Sequence, residues 1–252
     1  MSPSLIKLVF IGVLTYLVGL LVYLPASWIL PRLLPEEVAL QGIEGRLWSG
    51  SASRLKVGDL QLQQLGWDWH LLPLLGGQLE LMLGTQGPGL DVKGVASWGL
   101  WSERLELQDV SAEVSSDYLS QWLDPSFQLT GKLDVRLKQL QWQQNQLIAI
   151  NGKASWADAG FGVNQAIGLG QLEAVFEPKF EGTQAKLQGD GGDLDLNGNV
   201  MLKADGDYQV VLRLLPQVKL NKSASSQLSL LGISPNGGGE WKYAGQWFKP
   251  SE

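Results

Sequence analysis

The chain offers few side chains that could do chemistry. His70 is its only histidine and it has no cysteine, so multi-histidine and thiolate metal sites are excluded. His70 lies in Trp67-Asp-Trp69-His-Leu-Leu-Pro73, a setting for a packed or surface imidazole rather than a general base. No serine falls in a Gly-x-Ser-x-Gly elbow, and no Gly-rich loop carries a phosphate-binding lysine. Asp190 and Asp193 form a carboxylate pair of the kind common in strands and turns. Asp193-Leu-Asp195-Leu-Asn197-Gly198 matches the first half of a calcium loop, in which alternate oxygens and a glycine turn wrap the ion. The bidentate glutamate that should close it is replaced by Ala204, and the alternating leucines favour a strand with one wet face. No cofactor is therefore expected. The eleven tryptophans are the remaining candidates, since an exposed aromatic row could bind glycan or acyl chains. Trp67 and Trp69 are two apart and share a strand face, while Trp98, Trp142 and Trp156 each close a strand run. Core packing is the default reading for such large rings.

The elements that must carry these residues are strands. Period-2 alternation recurs at Leu60-Gln-Leu62, Leu79-Glu-Leu81, Leu105-Glu-Leu107, Leu129 to Leu137, Leu194-Asp-Leu196 and Val200-Met-Leu202. A helix would bury the charges of the fourth run. A strand instead sends Leu133, Val135 and Leu137 to one face and Lys132, Asp134, Arg136 and Lys138 to the other. A loose motif, a glycine two residues before an apolar residue that starts a strand, appears at Gly45, Gly58, Gly77, Gly131, Gly170 and Gly198. Two copies extend further, as Gly94-Val-Ala-Ser-Trp98 and Gly152-Lys-Ala-Ser-Trp156. Its spacing is too irregular for a solenoid or propeller. The expectation is mainly β: an extended, curled antiparallel meander with glycines at bends or bulges. Short helices are expected at 115–123, behind a hydroxyl cap, and at 223–231, as lids or plugs at an open sheet end.

Ahead of this domain, Leu8 to Leu30 contains no charged side chain. Spanning a bilayer takes about 20 apolar residues as a helix, whereas a cleavable signal peptide uses about 7 to 15 and a small-residue site. Pro25-Ala-Ser-Trp28 is a poor site, so residues 8–30 are expected to be an uncleaved transmembrane anchor, with Leu8, Phe10, Leu14, Leu17, Leu21, Leu24 and Trp28 on it. The stub 1–7 carries the amino terminus and Lys7, while Arg32, Glu36 and Glu37 follow the run. The positive-inside tendency therefore puts the stub in the cytoplasm and the bulk of the chain on the exported side, which in a bacterium means the periplasm. Residues 31–42, with Pro31 and Pro35, are expected to be a linker, and 43–252 one β-domain. The net charge of −6 and pI of about 4.9 argue against nucleic acid and anionic lipid headgroups as partners. Without disulfides, stability must come from packing and hydrogen bonds.

The chain carries Gly45-Arg-Leu-Trp48-Ser-Gly50, followed by Trp67-Asp-Trp69-His-Leu-Leu-Pro73 and Gly77-Gln-Leu79. These stretches resemble one known family, the N component of bacterial type II secretion (general secretion pathway protein N), and they are the specific part of that resemblance. Gly152-Lys-Ala-Ser-Trp156, Leu230-Leu-Gly232 and the single anchor add diffuse agreement. These are structural positions, and Gly45, Trp48, Gly50, Trp67, Trp69, Pro73 and Gly77 are expected to build the domain. The resemblance implies a non-catalytic accessory component anchored in the inner membrane. Its implied neighbours are the bitopic and assembly-platform proteins of that machine. A second reading is a periplasmic lipid carrier, because repeated Gly-x-Leu-x-Leu strands with an apolar inner face also resemble bridge-like lipid-transport proteins. Large residues closing that face into a core would oppose the carrier, and an open trough would favour it. An enzyme would have to rely on carboxylates alone.

Overall fold

The computed structural model describes residues 11–13, 15, 16, 19, 20, 22–35, 38–58, 60–121, 127–144, 146–163, 167–216, 225 and 239–246. They fall into two units, Met1–His70 with Leu81–Gly87, and Leu71–Glu80 with Pro88–Glu252.

The first unit is a small sheet with a helix on one face. Strands β1 (Val38–Gly45), β2 (Ser49–Val57) and β3 (Leu60–His70) are joined by the Leu81–Gly87 part of β4 (Gln78–Gly87). β2 pairs antiparallel with both neighbours, matching Leu40 to Leu55, Ala52 to Leu65 and Gly50 to Trp67. The Thr85 hydroxyl on β4 donates to the Gln63 carbonyl at 2.6 Å. Helix α1 (Ala26–Leu33) covers the apolar face. Ala26, Ala52 and Trp67 are buried there among Leu30, Leu40, Ile43, Leu65, Trp69 and Leu81.

Two expectations change in this unit. Residues 11–13, 15, 16, 19, 20 and 22 are helical, but the helix stops at Tyr23 and restarts as α1 at Ala26. Pro25 causes the break. It lacks an N–H, keeps the residue before it out of the helical region, and is itself extended (φ −67°, ψ 129°). Residues 8–30 are thus not one continuous helix, and among the described residues no helix is long and apolar enough to cross a membrane. Leu8, Phe10, Leu14, Leu17 and Leu21 lie outside the described residues. The linker expected over 31–42 is also shorter. α1 runs to Leu33 and β1 begins at Val38, and Leu40 and Ile43 of β1 pack on the cluster that holds Ala26 of α1.

The second unit contains β5 (Leu90–Gly99), β6 (Arg104–Ser115), α2 (Ser116–Ser120), β7 (Phe127–Gln143), β8 (Gln146–Val163), β9 (Ile167–Lys179), β10 (Gly182–Gly191), β11 (Leu194–Lys203), β12 (Asp207–Pro216) and β13 (Gly239–Gln246). A single 3-10 turn, Leu72–Gly76, precedes the Gln78–Glu80 part of β4. From β5 to β13, each strand pairs antiparallel with the next. That is the meander expected from the alternation. α2 starts at the Ser115 cap, whose side chain accepts the Tyr118 N–H at 3.3 Å. It is shorter than the expected 115–123, and residues 122–126 are outside the described set. Of the second expected helix, 223–231, only Ser225 is described, and it is helical.

Register makes the two faces of this sheet different. One cross-strand row reads Val92, Ala112, Val135, Ala154, Ala174, Leu187, Gly198, Leu212, Trp241. Two residues along, on the same face, the row reads Leu90, Val114, Leu133, Trp156, Leu172, Gly189, Leu196, Leu214, Gly239. The intervening rows face the other way and hold Asp91, Glu113, Asp134, Glu173 and Glu240 or Lys93, Arg136, Lys153, Lys186 and Lys242, as a period of two requires. Ala159, Ile167, Leu169 and Leu194 form the buried cluster, with Trp156, Phe161 and Leu172 against it.

The glycine motif turns out to be two things. Gly58 and Gly77 precede strands, but Gly131, Gly170 and Gly198 lie inside β7, β9 and β11. At Gly131 (φ 99°) the ladder skips from Thr130 to Lys132, and a Cβ there would meet the Ala157 carbonyl oxygen at 2.2 Å. Likewise Trp156 does not close a strand; it sits within β8, opposite Leu133 and Leu172. The bulges hide these continuities, because a glycine in a short run reads as an end.

Candidate functional site

The family-like motif divides between the units. In the first, the β1–β2 turn is closed by glycines. Gly45 has φ 88°, and a Cβ on Gly50 would lie 2.6 Å from the Trp67 ring. Only glycine lets the Trp67 ring lie so close to the turn, where its indole N–H donates to the Leu47 carbonyl at 3.1 Å. The Trp48 carbonyl accepts the Trp69 N–H at 2.7 Å. Trp48 itself is half-buried in the turn, and Trp69 is half-buried beside Trp67. The broken N-terminal helix is tied to this tip. The Leu47 N–H donates to the Leu24 carbonyl at 2.9 Å, Pro25 bridges to Arg46, and the Arg46 guanidinium stands 4.4 Å over the Tyr23 ring. Trp28 remains 69% exposed on α1.

Pro73 and Gly77 belong to the second unit. Pro73 starts the 3-10 turn, and Gly77 caps it in the left-handed conformation at φ 75°. The Gly77 carbonyl accepts the Leu100 N–H at 2.9 Å, and the Trp101 ring occupies the space a Cβ would need. Pro73 and Gly77 therefore shape a different turn from Gly45, Gly50 and Trp67.

A hollow on the charged face of the second unit was not foreseen from sequence. Its volume is about 740 Å³, and Ser111, Arg136, Lys138, Lys153, Val175 and Glu177 line it. It becomes visible only when register aligns Ser111, Arg136, Lys153 and Val175 across four strands. Two of the charges around it, Arg136 and Glu177, are paired on the surface. Arg136 meets Asp134 at 2.9 Å, and Glu177 meets Lys179 at 3.1 Å and Lys186 at 3.3 Å. Hydrogen bonds from Lys179 and then Lys186 hold the Glu177 carboxyl below its usual range. The bond from Lys132 does the same to Glu113, and Glu113 in turn raises Lys132. A carboxylate held ionised by lysines is a poor proton acceptor near neutral pH. The half calcium motif lies in and before β11. Asp193 accepts the Gly168 N–H at 2.9 Å, and Leu194 is buried. Among the described residues no group of three or more His, Asp or Glu could hold a metal ion.

An amphipathic antiparallel meander with one charged face has the makings of a binding or assembly module. Comparison with known proteins makes the assignment specific. A family model described as Type II secretion system (T2SS), protein N matches residues 36–243. The chain is 30% identical over 238 residues to the type II secretion system protein N of Vibrio cholerae serotype O1 (strain ATCC 39315 / El Tor Inaba N16961), covering 89% of this chain and 91% of that one. It is 28% identical over 241 residues to the type II secretion system protein N of Aeromonas hydrophila, covering 92% and 94%. This chain belongs to the type II secretion system protein N family. No solved structure matches it.

Proposed function

We propose that this protein is a non-catalytic accessory component of the type II secretion machinery. It is held in the inner membrane by its N-terminal apolar run, with residues 1–7 cytoplasmic and the sheet-bearing bulk in the periplasm. There it docks the bitopic or assembly-platform proteins of the system. The family match over residues 36–243 carries this reading. The physical route is recognition by strand edges and by the charged sheet face, with the anchor raising the effective concentration of membrane partners. The apolar side chains Ile11, Val13, Tyr16 and Leu20, all more than half exposed, suit contact with hydrocarbon up to the break at Pro25. Photocrosslinkers placed in cells on β1 and around Arg136 test it. Adducts with inner-membrane secretion proteins are expected, and their absence from both places removes the docking role.

A second reading has its own observation. In the two apolar rows of the second unit only Val114, Gly189 and Leu214 are buried among the described residues, and most of the others are half-buried. A fully packed second layer would bury them all. This favours a lipid-accessible apolar face, on which acyl chains complete the burial. Native mass spectrometry of the detergent-extracted protein decides between the two, since copurifying lipid is expected only from the second.

A further inference from the structure

β13 (Gly239–Gln246) pairs with β12 and with no other described strand, so its outer edge presents backbone donors and acceptors. β1 is a poorer edge because it kinks at Gly42 (φ 62°), where its ladder skips from Gln41 to Ile43. β13 has no positive-φ residue among its described positions. Its side chains are divided by face: Trp241 and Tyr243 stack at 5.6 Å and 4° between planes, and Glu240 and Lys242 lie 3.7 Å apart on the other face. Tyr243 is 51% exposed, and Trp241 ends the apolar row that reaches it through Leu212.

We infer that the partner fitting this edge is β13 of a second copy of the same chain, antiparallel about a two-fold axis at Trp241. The charges set that register. An antiparallel pair centred on Trp241 places Glu240 opposite Lys242 of the other copy, twice by symmetry, and the two indoles against each other on the apolar face. Moving the centre to Lys242 sets two lysines face to face, which is unfavourable. A slip of a single residue in one strand would put charges against the aromatic face. The apolar row then continues from one copy into the next. This inference goes beyond the secretion role and does not depend on it.

The experiment uses the full chain in detergent. The absence of cysteine gives a clean background for two exposed single replacements, Glu240→Cys and Lys242→Cys. Mixed and oxidised, these two proteins should form a disulfide dimer at least several-fold faster than either alone. By sedimentation, Lys242→Glu should weaken the dimer about tenfold, because two attractions become two repulsions. Glu240→Lys with Lys242→Glu should restore it. A monomeric wild type, equal crosslinking in all mixtures, or a charge reversal that the double exchange does not rescue overturns the inference. So does capture of β13 by any other chain in place of its copy.

Discussion

At the residue scale, Trp67 does the most to hold the first unit together. It is 8% exposed, packs on Ala26 and Ala52, and caps the Leu47 carbonyl. Trp67→Ala should cost about 3 to 5 kcal/mol, read as a lower urea midpoint at unchanged slope. Trp48→Ala should cost roughly half as much, since Trp48 is only half-buried. Equal losses would return Trp48 to the core. The shared face of Trp67 and Trp69 was legible because a strand's period is fixed. The place of Trp48 was not, because a turn has no period to read. Glu177 offers a separate test. Its carboxyl is held low by Lys179 first and Lys186 second, and an NMR titration should find its midpoint below that of a free glutamate. Lys179→Ala with Lys186→Ala should bring it back up. Because the shift is downward, its contribution to stability is present above the unfolded-state value and is lost as pH falls through the folded-state value.

At the scale of elements, alternation located the strands well and a meander gave their neighbours, but the register between them was not readable. Leu194-Asp-Leu196 and Val200-Met-Leu202 read as separate runs, yet both belong to β11. Gly198 between them needs no turn; a Cβ there would lie 2.4 Å from Leu212 on β12. That requirement comes from the neighbouring strand, and no local pattern encodes it. For the same reason the hollow around Arg136 was invisible before register was known. Capping is local and was read correctly. Ser115 stops β6 and starts α2 by accepting the Tyr118 N–H, so Ser115→Ala should cost about 1 kcal/mol. The drop in thermal midpoint should vanish in Ser115→Asp, which restores an acceptor; a full loss there would mean the serine serves packing instead.

For the whole molecule, the family was legible from a motif whose parts build two different turns. Gly45, Gly50 and Trp67 close one turn, while Pro73 and Gly77 close another in the other unit. Closeness along the chain between Trp69 and Pro73 made them look like one feature. The anchor is the complementary case. Composition alone marked residues 8–30, but Pro25 interrupts the helix and Ala26 to Leu33 belongs to the fold of the first unit, with Ala26 fully buried. Membrane attachment should therefore rest on the residues before Tyr23 alone. In alkaline carbonate the full chain should stay with the membrane. A variant with residues 1–22 replaced by a cleavable export signal should be soluble and still folded, since α1 and its contacts with Ala52 and Trp67 remain. Alkaline phosphatase fused after Gln246 should be active in both, which requires an exported carboxyl terminus. Activity only in the export-signal variant would reverse the orientation drawn from the charges that flank the run. A truncated chain that is exported but unfolded would instead show that the residues before Tyr23 stabilise the turn that Arg46 and Leu47 make with Tyr23 and Leu24.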